Sequence, residues 1–340
     1  MAELIKNTDI DFSKAVVIDA TLIRTYRSCQ KKYDYFQNQH FVSKSRKAAP
    51  SFGIAMHEGI AQFREQRKKG TPYLLAFEIG QAALQQAYRK HMPPENQSEV
   101  MQDDRRSLNN AIRLYTGFCQ HYEPMGYKYH QVEVPFALHL GQITIDNCDH
   151  TQLDPSYQPN YFPPVKKDVI YVGIIDAIIE WQNRLFVSDI KSTASNISEV
   201  YLNGYKMDQG LPGYTIAARE LLGVDTNHAL VHAFWVQKEA KVKGKPLDEY
   251  YHTKELYWDN AQLQEWVTNT LQTVEEIESH NLTGNFIMNF GYSCTAYNSP
   301  CDYFSICTLP FEARKQRLEM DFRKAIWTPL ESERMSPIDD

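Results

Sequence analysis

The stretch VIYVGIIDAIIEWQNRLFVSDIKST, residues 169–193, contains two apolar, β-branched runs separated by Gln182, Asn183 and Arg184. Runs this rich in Val and Ile, broken by a polar bend, predict a β-hairpin covered on both faces. Centring the bend on Gln182 and Asn183 sets Asp176 opposite Asp189, with Cβ atoms roughly 5 Å apart. A one-residue slip would throw one carboxylate to the other face. On the second strand Asp189 and Lys191 are two residues apart and therefore share a face. Burying such a pair costs several kcal/mol of desolvation. Either the face is solvated and the pair is an ordinary surface ion pair, or the hairpin is a site. The flanking apolar runs argue for burial. Two facing carboxylates repel, and a divalent cation is the natural relief. Ile190 points into the core, which leaves its carbonyl as a further oxygen ligand. The ammonium of Lys191 then stands within reach of an oxygen held by the cation, where it can orient water or stabilise developing charge.

Outward from the hairpin, the chain changes its period twice. Residues 1–125 read as helical. TLIRTYRSCQKKYDYF predicts one helix, and FGIAMHEGIAQFREQRKK predicts a second, ended by Gly70. A third begins with Thr71 as N-cap and Pro72 at the first helical position. In RRSLNNAIRLYTGFCQHY, Leu108, Ala111, Ile112, Tyr115, Phe118, Cys119 and Tyr122 form one apolar stripe, so Cys119 belongs to the core. Residues 126–259 read as a sheet. HQVEVPFALHL and QITID predict strands joined by a tight turn at Gly141-Gln142. After a Pro-, Asp- and Tyr-rich insertion comes the hairpin, then strands at 228–238 and 249–258. Residues 260–340 hold an amphipathic helix and an aromatic, cysteine-bearing tail that must pack back on something. The fold class is α+β, one intertwined domain overall.

The 340 residues are 43% hydrophobic with ordinary Gly and Pro content, a globular composition. No basic-then-apolar leader and no run of about 20 apolar residues is present, so a soluble, cytoplasmic protein with no membrane contact is expected. The net charge of −6 argues weakly against nucleic acid. The basic residues are nevertheless clustered, at 24–33, 44–47, 64–69, 241–245 and 313–317, and a whole-chain average says little about a local groove. Of six cysteines, Cys148 lies with His150 in the insertion, an incidental pairing. In a chain of this kind, clustered cysteines point to metal rather than to disulfides.

Gly173-Ile-Ile-Asp176 followed by Asp189-Ile-Lys191 resembles the PD-(D/E)xK nuclease superfamily, and further marks are similar to its RecB-like branch. These are Gly53 and His57 on an early helix, Glu133 in QVEVPF, and Gln209 with Tyr214 in DQGLPGYTIAA. The branch separates that Gln and Tyr by four residues; here they are five apart, with Gly210, Pro212 and Gly213 intervening. Cys294-x6-Cys301-x5-Cys307, with a solitary Cys29, resembles the iron–sulfur nucleases of the branch, AddB-type and CRISPR-adaptation enzymes among them. Their first tail spacing is shorter by four, and the longer one is associated with virus- and prophage-type members. The resemblance implies a restriction-endonuclease-like mixed central sheet flanked by helices, with the tail tied to the N-terminal part by a cluster. It also implies Mg²⁺ or Mn²⁺ held by His57, Asp176, Asp189 and the Ile190 carbonyl, with Lys191 assisting and Gln209 and Tyr214 contacting the substrate backbone or the lysine. Cys29, Cys294, Cys301 and Cys307 would hold a [4Fe–4S] cluster, with a four-cysteine zinc site as the alternative. The expected activity is exonucleolytic, on single-stranded or frayed DNA ends in recombination or repair, beside a helicase or recombination partner. The basic, aromatic front at Arg24, Arg27, Lys31, Lys32 and Tyr33 would track phosphates and stack bases. The alternatives are a structure- or sequence-specific endonuclease and a non-catalytic DNA-binding subunit.

Overall fold

The computed structural model describes residues 14–44, 48–92, 104–145, 164–238, 245–246, 249–296, 299–330 and 335–337. The insertion with Cys148 and His150 lies outside them. In chain order the elements are β1 (Ala15–Ile18), α1 (Ala20–Ser28), α2 (Gln30–Tyr33), β2 (Phe41–Ser43), α3 (Ala48–Lys68), α4 (Tyr73–His91) and α5 (Leu108–Tyr122). Then come β3 (Lys128–Ile145), β4 (Val165–Trp181), β5 (Arg184–Thr193), α6 (Glu199–Asn203), α7 (Leu211–Leu222), β6 (His228–Trp235) and β7 (Tyr251–Tyr257). The last are α8 (Asn260–Thr283), α9 (Phe304–Cys307), α10 (Phe311–Asp321), β8 (Phe322–Trp327) and β9 (Met335–Pro337). Pairing through β4 gives a mixed sheet in the order β1-β4-β5-β6-β7, with β3 also on β4. Helices flank it, and the class is α+β, as expected.

The chain forms two compact units. One comprises Met1–Lys44, Phe136–Gly173 and Ala261–Asp340; the other comprises Ser45–Pro135 and Ile174–Asn260. The N-terminal helical part is thus divided between them. In the second unit, α3, α4 and α5 pack their apolar faces together through Phe52, Met56, Ile60, Phe63, Leu84, Leu114, Tyr115 and Phe118, and Ile190, Phe234 and Tyr251 of the sheet complete that core. Gly59 and Gly80 let α3 and α4 approach: a Cβ on Gly59 would meet Leu84 Cβ at 2.7 Å. Cys119 is fully buried in the same core, where the helical stripe places it. α4 starts one residue later than expected. Pro72 occupies the N-cap position without a side-chain bond, and the Thr71 hydroxyl bonds Gln66 Oε1 at 3.0 Å. On the same face of the hairpin as Ile190, Ala177, Ile179 and Phe186 form a further apolar cluster with Leu230, against which Tyr127, Tyr129 and Trp181 pack.

In the first unit, β1 runs parallel to the leading half of β4, from Ala15↔Asp168 to Ile18↔Tyr171. Asp19 caps α1 by accepting from Leu22 N at 2.7 Å, and its other oxygen accepts from Trp327 Nε1 at 2.9 Å. The single helix expected over 21–36 is broken at Cys29, which is extended (φ −167°, ψ 116°). The break is held from the tail, where Ile287 O accepts from Lys31 N at 2.9 Å and Asn289 Nδ2 donates to Ser28 O at 2.8 Å. The expected turn at Gly141-Gln142 is absent: β3 is one continuous strand, with Gly141 inside it at φ 141°. β2, β8 and β9 form a small antiparallel sheet. Beside it Tyr35, Phe41, Tyr303, Ile306, Leu318 and Phe322 make a core, and the Tyr303 hydroxyl donates to Phe41 O. The tail does pack back, through more regular structure than its sequence implies. Among the described residues no helix is long and apolar enough to cross a membrane.

Candidate active site

β4 and β5 pair in the expected register, from Trp181↔Arg184 to Ala177↔Ser188. Gln182 (φ 49°) and Asn183 (φ 59°) are both left-handed, the pattern of a two-residue type I′ turn whose twist suits a hairpin. The ladder stops at Ala177–Ser188. One step further, Asp176 Oδ2 accepts a hydrogen bond from Ile190 N at 2.7 Å, so its carboxylate is tied to the backbone of the neighbouring strand. His57 of α3 brings Nδ1 to 3.6 Å from the same oxygen. Asp189 is 4% exposed, and its Oδ1 accepts from Lys191 Nζ at 3.0 Å. Lys191 Nζ also lies 2.7 Å from Oδ2, an ion contact without hydrogen-bond geometry, which leaves that buried oxygen with no hydrogen bond. Ile190 is buried in the helical core, as alternation along the strand requires.

The charges are strongly interdependent. Burial opposes ionisation of Asp176, yet His57, Lys191 and the Ile190 amide hold its carboxyl down at about 2. Burial pushes Asp189 up to about 6 despite Lys191, and Asp176 and Asp208 add to the rise. Burial alone would lower His57, but Asp176, Glu133 and Asp189 raise it above the usual imidazole value. Burial works against the Lys191 ammonium, but Asp189, Asp208 and Asp176 override it, so the ammonium holds its proton more tightly than usual. Glu133 reaches the site from a left-handed position in β3 (φ 48°), unusual for a non-glycine residue. Its side chain is exposed to solvent, yet the surrounding protein and Asp176 push its carboxyl up to about 7.

Among the described residues no three His, Cys, Asp or Glu side chains are arranged as a ready metal shell. The donor chemistry nevertheless suits a hard divalent cation: imidazole, two carboxyls whose pKa is raised by burial and by the Asp176 charge, and a buried Asp189 oxygen lacking a hydrogen bond. Gln209 stands two residues before α7 rather than on it, and Tyr214 lies in its first turn. Asp208 sets this start, its Oδ1 accepting from Gly210 N at 2.7 Å and Leu211 N at 3.1 Å, with Pro212 in the first turn.

The sequence reading missed Tyr205 and Asp208. Asp208 acts electrostatically on Asp189 and Lys191, and the ammonium lies over the Tyr205 ring, 5.9 Å from its centroid. The Asp208-x-Gly210-Leu211-Pro212 helix-start pattern was the available signal for the aspartate. Also missed was Arg64, 2% exposed, whose Nη2 lies 3.2 Å from His232 Nδ1.

In the first unit, Cys29, Cys294, Cys301 and Cys307 are free thiols in partly buried positions. Cys29 Sγ accepts from Asn289 N at 3.5 Å and Cys294 Sγ donates to Asn289 O at 3.4 Å, so one residue joins the N-terminal cysteine to the tail. Cys301 N donates to Cys294 O at 2.8 Å. Burial pushes the Cys307 thiol up to about 11, and Cys29, Cys301 and Cys294 all contribute. Cys119 stands apart, its thiol pushed up to about 12 by burial. The expected basic, aromatic front is partly structural: Tyr33 is 4% exposed and stacks on Phe286, so it is not available to bases. Lys31 pairs with Asp34 at 3.0 Å, and Arg27 donates to Thr273 Oγ1 at 2.7 Å.

A mixed sheet that carries two carboxylates and a lysine on one hairpin, with a histidine supplied by a flanking helix, defines a metal-dependent nuclease of restriction-endonuclease-like fold. The family model of the PD-(D/E)XK nuclease superfamily matches residues 20–308, and the chain belongs to that superfamily. No curated protein matches it. Among solved structures it is similar to one described as "Crystal structure of SSO0001", at 12% identity and a TM-score of 0.32, over 88% of this chain and 89% of that one.

Proposed function

We propose that the protein is a deoxyribonuclease whose metal site is His57, Asp176, Asp189 and the Ile190 carbonyl, acting from ends on single-stranded or frayed DNA. The observation that carries the site is the tie of Asp176 to the Ile190 amide, with Asp189 and Lys191 on the adjoining positions. When bound, Mg²⁺ or Mn²⁺ supplies a Lewis acid that polarises a phosphate oxygen and an activated water. The chain does the rest. His57, Asp176 and Asp189 fix the donors, Lys191 orients the nucleophile and stabilises negative charge on the phosphate, and Tyr214 and Gln209 contact the backbone or the lysine. Glu133, which acts electrostatically on His57 and Asp176, is an additional carboxylate.

Four cysteines share one electrostatic neighbourhood and Asn289 joins two of them, Cys29 and Cys294, which supports a [4Fe–4S] cluster as their ligand. A zinc ion held by the same four thiolates is the alternative. Action from ends is favoured over endonucleolytic action because no base-reading module is recognisable. End-labelled linear and circular single-stranded DNA incubated with Mn²⁺ separate the readings. Degradation of linear DNA alone is expected; nicking of circles points to an endonuclease, and cleavage of neither to a binding subunit.

A further inference from the structure

Besides the charges of Asp208 and Asp176, two groups flank the ammonium of Lys191 directly. Asp189 takes one side, and the face of Tyr205 covers the other at 5.9 Å. Tyr205 lies on a single 3₁₀ turn, Gly204–Met207, between α6 and α7, and that turn is anchored at both ends. Trp258, 3% exposed, donates through Nε1 to Lys206 O at 3.1 Å, and the Lys206 ammonium lies 5.0 Å from the Trp258 ring centroid. Asp208 closes the following turn through the amides of Gly210 and Leu211. The ring itself is fixed by Tyr201: the two hydroxyls are 2.6 Å apart and the rings meet edge to face at 86°. A surface lysine has four rotatable bonds and ordinarily samples many of them. Here the side chain is only 30% exposed and confined between a carboxylate and a ring.

We propose that Tyr205 is a positioning residue for the nuclease reaction: its ring holds the Lys191 ammonium by a cation–π contact, aimed at the substrate phosphate, with the Tyr201 ring packed edge to face against it. This deepens the functional reading above and rests on Lys191 acting in that reaction. The contribution of such a contact lies in the charge distribution of the ring, since the hydroxyl is occupied by Tyr201.

The test replaces Tyr205 with Phe, Leu and a series of phenylalanines of increasing ring fluorination, in the full chain with Mn²⁺. Tyr205→Phe keeps the ring and is expected to stay within about 3-fold of the wild-type kcat. Tyr205→Leu is expected to lose ~3- to 30-fold in kcat, the range a partly desolvated cation–π contact corresponds to. KM for DNA and Mn²⁺ affinity should not change. Each added fluorine weakens the ring's negative face at nearly constant shape, so kcat should fall stepwise along the series while the melting temperature holds. A flat fluorine series, or equal losses in the Phe and Leu variants, would overturn the proposal even if the Leu variant is unstable. Lys191→Ala separates the two layers: a wild-type rate there removes the functional reading itself, whereas a dead Lys191→Ala with a flat fluorine series removes only the role of Tyr205.

Discussion

Asp189, Glu133 and His57 all hold protons more tightly in the folded chain than in a solvated one. A group whose folded pKa is raised favours folding at low pH and loses that contribution as pH rises through the folded value. For Asp189 the window runs from its ordinary value near 4 up to about 6, and for Glu133 it extends to about 7. Asp176 has the opposite sign, with stability present above its ordinary value and lost only as pH falls toward about 2. Without metal, therefore, stability should decline from pH 5 to pH 7, and Asp189→Asn should flatten that slope. The metal and the protons compete for the same donors, so Mn²⁺ binding near pH 6 should release protons. Calorimetry in buffers of differing ionisation enthalpy reads this directly; a binding heat independent of buffer would mean the carboxylates are already bare. The sequence made the Asp176, Asp189 and Lys191 grouping legible because alternation and a two-residue turn leave little choice of register. Tyr205 was not legible, since its arrival over Lys191 depends on a chain path that no periodicity encodes; the pattern at Asp208 announces a helix start but not its influence on Lys191.

The helices of the second unit owe their spacing to small residues. A Cβ on Gly80 would meet the Gly59 carbonyl oxygen at 2.7 Å, and backbone cannot swing aside as a side chain can. Gly80→Ala should therefore destabilise the protein by about 1–3 kcal/mol, the usual scale of overpacking. Gly204 has an ordinary helical φ of −56° and open space where a Cβ would sit, so Gly204→Ala should be near neutral. Urea denaturation of both variants makes the comparison, and equal effects would contradict the close-packing account. Helix and strand identity was legible wherever a period ran long, as in α5 and the hairpin. It failed where a tertiary contact overrode local preference: Cys29 interrupts a helical pattern because the tail binds its flanking backbone. Gly141 reads as a turn in isolation but lies within a continuous strand.

In the first unit, the segment that carries Cys29 meets the tail through hydrogen bonds of Asn289, the β2–β8 ladder and a small aromatic core. Four thiolates from both regions would make the cluster part of folding, since binding energy becomes folding energy when a site is absent from the unfolded chain. Cys29→Ala and Cys301→Ala should both lose the brown chromophore, melt at lower temperature and expose the tail to proteolysis. Cys119→Ala, in a helical core, should keep the chromophore. A Cys29→Ala protein with full iron content would send the fourth ligand elsewhere, with Cys148 as the first suspect. The sequence brought these cysteines together through spacing and resemblance; it gave no sign that Asn289 would bridge two of them, because that contact joins distant segments. The central claim is that Lys191 acts chemically beside a metal held by Asp176 and Asp189. Single-turnover cleavage of end-labelled single-stranded DNA in saturating Mn²⁺, with metal affinity measured on the same preparations, tests it most directly. Lys191→Ala should keep Mn²⁺ affinity within a few-fold and cleave at least ~100-fold more slowly, while Asp189→Ala should show no metal-dependent cleavage; a Lys191→Ala protein that cleaves at the wild-type rate would contradict the account.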